Sequence, residues 1–294
     1  LQATAANYWM LVAGRVTAAF THGVFWSLVN PMASRLAPPG QTGKAVAAVS
    51  IGSTLSLVLG SPLTTALGAA IGWRASTWAL GVATIASLAM LFTSLPSMPA
   101  TRTASAAKAK NTKSAIPSLV VYVLLAVTSI FATFTYLALL VEATAGHRFV
   151  PYGVSLYGLA GLVGITFAGR RVDRRMIRLN AVAAALLIIS AIAGLAALNS
   201  GTGVGMFAVI AVFGMAAGAL PTVATTIFLH AGQRNQDLAS SVYVVTFQVG
   251  IASGSALGAA AVDAGYLSGT LALTGVLGAL AFAVLALWSR TLLR

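Results

Sequence analysis

Four residues near the start of the chain could do chemistry together. The stretch LVAGRVTAAFTHGVFW, 11–26, sets Arg15 and His22 in a run that is otherwise apolar or small, and Trp26 and Asn30 follow. On an α-helix at about 100° per residue, His22 falls about 20° to one side of Arg15 and Trp26 about 20° to the other, with Asn30 about 60° round. One face then carries a cation, an imidazole, an indole and an amide, and Ala18 and Ala19 leave space among them. An arginine at the centre of a membrane helix costs roughly 2.5–3.5 kcal/mol on insertion scales, so such a stripe faces a bundle interior or a wet cavity. The alternative is a span that begins at Val16, leaving Arg15 at the interface with its head reaching outward. In a cavity, His22 could exchange a proton near neutral pH or hydrogen-bond a solute.

Enzyme chemistry has no comparable constellation. The sequence holds no HExxH, GxSxG or GKS/GKT motif and only four acidic residues, so neither an activated nucleophile nor a phosphate cradle is visible. With no cysteine there is no disulfide or thiolate metal site, and no metal or other cofactor is expected. The expectation is transport, channel or receptor function, with no enzymatic activity.

The elements that position the stripe follow from composition. Of 294 residues, 59% are hydrophobic and 7% charged, at a mean hydropathy of +0.93. A soluble domain carries about 25% charged residues, so lipid is the solvent. Charges divide the chain into helix-sized intervals, and a span needs about 20 residues. The expected spans are 7–34, 45–71, 75–95, 117–141, 152–168, 179–198, 204–229, 239–262 and 267–288: an all-α polytopic membrane protein with nine transmembrane helices.

The net charge of +13 is a matter of topology. With alternate loops assigned to one face, fourteen of the 17 Lys and Arg fall on that face, Arg74 and Arg148 on the other, and Arg15 inside a span. The positive-inside rule makes the first face cytoplasmic, together with the C-terminus. Lipid is the expected neighbour of this basic surface, and nucleic acid is not, since no basic face is interleaved with stacking aromatics. The odd span count puts Leu1 outside, which reads as a fragment lacking its N-terminal part.

The segment PSMPATRTASAAKAKNTKSAIP has a flexible linker's composition. It divides the chain into a partial N-terminal half-bundle (1–95), a cytoplasmic linker (96–116) and a six-helix C-terminal half-bundle (117–294). A weak repeat, RLAPPGQTGKA against LHAGQRNQDLA, relates the halves. Each leads into a stripe of small residues at every fourth position: Gly52, Ser56, Gly60, Thr64 and Gly68, then Gly250, Gly254 and Gly258. These let backbones approach closely, either as ordinary packing or as a tight interface between the halves. Pro62 should bend its helix. In GRRVDRR, 169–175, Asp173 either pairs with an arginine such as Arg174 or sits at the N-terminus of the next helix, where it could latch one conformation. Asp237 is placed to cap its own helix in the same way.

NYWMLVAGRVTAAFTHGVFWS followed by GSPLTTALGAAIGWR resembles helices four and five of the major facilitator superfamily, within its drug/proton antiporter group and closest to the sugar efflux transporters. Arg15 matches that group's fourth-helix arginine, His22–Ser27 resembles the sugar-efflux form, and Gly60-Ser61-Pro62 matches the fifth-helix signature, with Thr64 where glycine is usual. Gly169–Arg175 and Phe247–Gly254 resemble the second-half loop signature and the eleventh helix.

The resemblance implies a major facilitator-type bundle with nine of twelve helices present, and alternating access around a cavity lined by helices one, four, seven and ten. It would bring Arg15, His22 and Trp26 opposite Phe131, Phe134 and Tyr136, with Gln248 a further polar contact and Pro221 a flexure point. The implied protein is a monomeric proton antiporter of the bacterial inner membrane that exports a sugar or small polar compound. The alternatives are a multidrug or amphenicol exporter of the same fold, and a non-transporting receptor or truncated fragment.

Overall fold

A computed structural model describes residues 2–95, 116–232 and 235–292, apart from the side chains at 57–58, 61–62, 65–66 and 288–292. The linker expected at 96–116 therefore lies outside the described residues up to 115. All described elements are helical. In chain order they are α1 (Tyr8–Leu36), α2 (Thr42–Leu55), a π-helical stretch (Ser56–Gly60), α3 (Ser61–Ser94), α4 (Ile116–Phe134), α5 (Leu137–Ala145), a 3-10 turn (His147–Phe149), α6 (Val150–Gly169), α7 (Val172–Asn199), α8 (Gly203–Ala231), α9 (Gln236–Asp263) and α10 (Leu267–Leu292).

Seven helical stretches among the described residues are long and apolar enough to cross a membrane, the first at 67–94 and the last at 267–287. The sequence led us to expect nine. α1 has the length, at 29 residues, but Arg15, His22, Asn30 and Arg35 lower its hydropathy. The expected span 45–71 is the other difference. It consists of the 14-residue α2, a π-helical stretch and the start of α3. The π-helical stretch ends two residues before Pro62, which stands at the start of α3. α3 then turns at Gly72, whose φ of 79° only glycine adopts freely, separating 61–71 from 73–94.

The chain forms two compact units, residues 1–25 with 56–112 and residues 26–55 with 113–294. The end of α1 and all of α2 group with the second unit. In the first unit, Asn7 caps α1 by accepting the Met10 N–H over 2.8 Å. Arg74 donates to the Ala5 carbonyl over 3.1 Å, and its guanidinium lies 4.3 Å from the Trp73 ring centre.

Glycines and hydroxyls hold the second unit together. Along α9, a Cβ on Gly250 would lie 2.8 Å from Val127, one on Gly254 2.5 Å from the Thr128 carbonyl, and one on Gly258 2.7 Å from the Ala132 carbonyl. This stripe seats α9 on α4, inside the second half. A second interlock, at Gly161, Gly164, Gly214 and Gly218, brings α6 and α8 into backbone contact. By contrast, a Cβ on Gly52 or Gly68 would meet nothing within 4 Å, and one on Gly60 only the Ser56 hydroxyl at 3.5 Å. Between α4 and α10, Ser129 donates to the Thr274 carbonyl and Thr133 to the Thr270 carbonyl, each over 3.0 Å, and Thr274 returns a bond to the Ser129 carbonyl over 2.6 Å. Hydroxyl bonds of this kind join helices where no hydrophobic force does.

Candidate functional site: an aromatic row, a polar stripe and a basic end

The expected single span at 117–141 is broken. α4 stops at Phe134 and α5 starts at Leu137, although the intervening Thr135-Tyr136 is neither proline nor glycine. Long-range hydrogen bonds hold the break open: Tyr136 Oη donates to the Ser255 carbonyl over 2.9 Å, and the Thr135 and Ser255 hydroxyls lie 2.9 Å apart. The Tyr136 ring lies on Gly258, so this residue fixes α4 against α9.

The break aims Phe131 and Phe134 into a continuous row of seven rings. From α8 the row runs Phe228, Tyr243, Phe247, Phe131, Phe134, Tyr157 and back to Phe213, with neighbouring centres 4.7–6.3 Å apart. Phe134 and Tyr157 stack, at 4.7 Å and an interplanar angle of 28°, while Phe131 meets Phe134 and Phe247 edge-on. Phe131, Phe134, Tyr157 and Phe247 are half-buried; Phe213, Phe228 and Tyr243 are buried. Such a row presents π faces and edges to a flat, uncharged guest, worth about 0.5–1.5 kcal/mol per ring beyond area burial. Of its members, only Phe131 and Phe134 were singled out from the sequence as contacts. Tyr157 and Phe213 carry no local signal beyond being aromatic. Gln248 is exposed beside the row's Phe247. Pro221 lies within a continuous α8, and its carbonyl accepts from Tyr243 Oη over 3.3 Å.

The four residues of the polar stripe all lie in α1. Arg15 and His22 are exposed and lie in the first unit; Trp26 is half-buried and Asn30 buried, both in the second. The Thr17 and Thr21 hydroxyls donate to carbonyls of their own helix. Glu142, the acid nearest a span interior by sequence, stands in the last turn of α5 and meets His147 Nδ1 at 3.4 Å, with half its side chain exposed.

The basic end of the second unit carries a charged junction. Asp173 stands in the first turn of α7, yet its carboxylate accepts the Gly43 N–H, at 3.0 Å from each oxygen. It thus serves the N-terminus of α2, a favourable place for an anion. A non-helical Arg175 (φ −143°, ψ 39°) frees this first turn to lean that way. The approach is close: a Cβ on Gly43 would overlap Val172, and one on Gly169 would overlap Ala47. Arg174 is exposed. Asp237 differs from its expected capping role: Asn235 caps α9, accepting the Leu238 N–H over 3.0 Å, and Asp237 pairs with Arg35.

Among the described residues, seven helices long and apolar enough to cross a membrane, seated on each other through glycine and hydroxyl contacts, define a multi-pass membrane protein. The chain belongs to the Major Facilitator Superfamily, which matches residues 1–252. It is 30% identical over 269 residues to the chloramphenicol efflux pumps of two Mycobacterium tuberculosis strains, CDC 1551 / Oshkosh and H37Rv, a match covering 88% of this chain and 65% of each relative. The chain therefore spans just under two thirds of those relatives' length. A crystal structure of the E. coli fucose:proton symporter has the same fold, with a TM-score of 0.69 at 18% identity over 97% of this chain and 78% of that one.

Proposed function

We propose that the protein is a secondary active exporter of the bacterial inner membrane that moves a small, uncharged amphipathic molecule outward in exchange for protons, by alternating access, as a monomer. The observation that carries this reading is the half-buried run Phe131, Phe134 and Tyr157, with its 4.7 Å stack, in a chain 30% identical to chloramphenicol efflux pumps. A row of π faces suits a ring-bearing compound such as chloramphenicol better than a sugar. In this reading Arg15 organises the polar side of the cavity and biases the protonation of neighbouring groups, while His22, Trp26, Asn30 and Gln248 offer hydrogen bonds to the guest. The basic end faces the cytoplasm, as the positive-inside rule requires, and its junctions at Asp173 and Asp237 hold that side shut.

A second reading, export of a sugar, draws on the resemblance of His22–Ser27 to the sugar efflux group. Accumulation of labelled chloramphenicol and of a labelled disaccharide in cells expressing the natural protein separates the two. The proposal expects lowered accumulation of chloramphenicol alone, restored by a protonophore and by Arg15→Ala. Undiminished export by Arg15→Ala removes Arg15 from the mechanism.

A further inference from the structure

The run GRRVDRRMIR, 169–178, carries five arginines: Arg170, Arg171, Arg174, Arg175 and Arg178. It closes α6 and opens α7, and all five side chains are exposed. The positive-inside rule accounts for cations at this end, but not for their lack of counter-charge. The run's own carboxylate, Asp173, is 14% exposed and turned inward, with both oxygens on the Gly43 N–H. Asp237 is taken up by Arg35. Glu142 pairs with His147 ahead of α6, whose far end carries the arginines, and Asp263 ends α9, whose first turn holds Asp237. Those helices are about 30 and 40 Å long, several times the ~10 Å over which exposed charges act in salt. These four are all the acids in the chain. Among the described residues, none of the five arginines has an ion-pair partner.

What the run adjoins is apolar. Leu159, Val163 and Phe167 follow one another at four-residue spacing along α6 and are 54%, 59% and 50% exposed, so they form one outward stripe. The Arg171 guanidinium lies 4.0 Å over the ring of Phe167, the last of the three. Stacking uses the flat face of the guanidinium and leaves its in-plane N–H groups open to a bidentate partner. On α7, the exposed Val182 stands one turn after Arg178.

We propose that these arginines bind the phosphate headgroup of an anionic phospholipid in the leaflet at the basic end, with an acyl chain laid along the α6 stripe. The guanidinium fork matches phosphate oxygens, and the stripe favours a phosphate that carries a chain over a free one. The bound phosphodiester supplies the negative charge that no acidic side chain provides. Five cations outnumber one phosphate, so cardiolipin, with two, binds more tightly than phosphatidylglycerol. The site rests on the membrane fold and not on the export reading, and its test needs no transport measurement.

Native mass spectrometry of the natural protein, titrated in detergent with phosphatidylglycerol or phosphatidylcholine, reads the affinity for each lipid. Phosphatidylglycerol should bind at least about 25-fold more tightly, near fivefold for each of two cations on one phosphate, the attraction of an anionic surface for a nearby cation. Arg171→Gln with Arg174→Gln should lower that preference about 5- to 25-fold and leave phosphatidylcholine binding unchanged. Arg174→Gln with Arg178→Gln, which keeps the Phe167 contact, should act likewise. Arg148→Gln, on a cation that lies over Phe149 ahead of α6, should leave the preference intact, and soluble glycerol 1-phosphate should not displace the lipid. Equal affinity for the two lipids, an undiminished preference in both double variants, an equal loss in Arg148→Gln or displacement by glycerol 1-phosphate overturns the proposal.

Discussion

Arg35 donates from Nη2 to Asp237 Oδ1 over 2.7 Å, tying the last turn of α1 to the first turn of α9. The side chains are 30% and 44% exposed, so solvent screens the pair and its coupling stays below about 1 kcal/mol. Arg35→Gln and Asp237→Asn should each lower thermal stability only slightly, and the swap Arg35→Asp with Asp237→Arg should recover most of the loss. A double-mutant cycle read from unfolding in detergent checks this. Coupling several times larger would mean that the pair is effectively buried.

Gly254 and Gly52 make a matched pair for the small-residue stripes. An added methyl at Gly254 meets the α4 backbone at the Thr128 carbonyl, 2.5 Å away, where nothing can yield cheaply. Gly254→Ala should cost about 1–3 kcal/mol, as overpacking does. Gly52→Ala meets open space on a helix that prefers alanine, so it should be neutral or stabilising by up to about 1 kcal/mol. Equal melting shifts for the two variants would refute the close seating of α9 at Gly254.

Gly43→Ala would drive a methyl into Val172 and lift the α2 N-terminus from Asp173. The expected result is a looser basic end: faster labelling of a cysteine placed at Ala47, which is buried in the native protein. Labelling no faster than in the parent would show that the Gly43–Asp173 contact does not hold this end together.

The aromatic row predicts graded losses. Tyr157→Phe keeps the stack on Phe134 and should leave chloramphenicol KM within about twofold. Tyr157→Leu and Phe134→Ala remove it and should raise KM by about 2- to 10-fold, the range expected of a lost ring contact. A KM unchanged in both truncations would place the guest elsewhere.

Some of this fold is legible in the sequence because it depends on local chemistry. The starts of α2 at Thr42 and α9 at Gln236 are legible, since each falls within one of the two related polar, glycine-bearing segments RLAPPGQTGKA and LHAGQRNQDLA. The turn between the expected second and third spans is visible in Gly72-Trp73-Arg74, because only glycine takes its φ freely. What the sequence hides is long-range. The break at Thr135-Tyr136 is held by Ser255, about 120 residues away, with no breaker residue to mark it. The sequence around Asp173 allows an arginine partner or a place at the N-terminus of its own helix, whereas its carboxylate accepts the N–H of Gly43 on α2, 130 residues back. The α6–α8 interlock at Gly161, Gly164, Gly214 and Gly218 went unread because Gly161 and Gly164 are three apart and Gly214 and Gly218 four apart, too brief to stand out in a glycine-rich chain. The row through Tyr157 and Phe213 exists only once α4, α6, α8 and α9 are packed together.

The export reading turns on whether an aromatic amphipathic guest draws protons across the membrane. The most direct measurement loads proteoliposomes of the natural protein with a pH gradient and a fluorescent pH reporter, then adds chloramphenicol or a disaccharide. The reading predicts that chloramphenicol dissipates the gradient saturably, that Arg15→Ala abolishes the effect and that the disaccharide is silent. Dissipation by the disaccharide alone, or by neither compound, would contradict it.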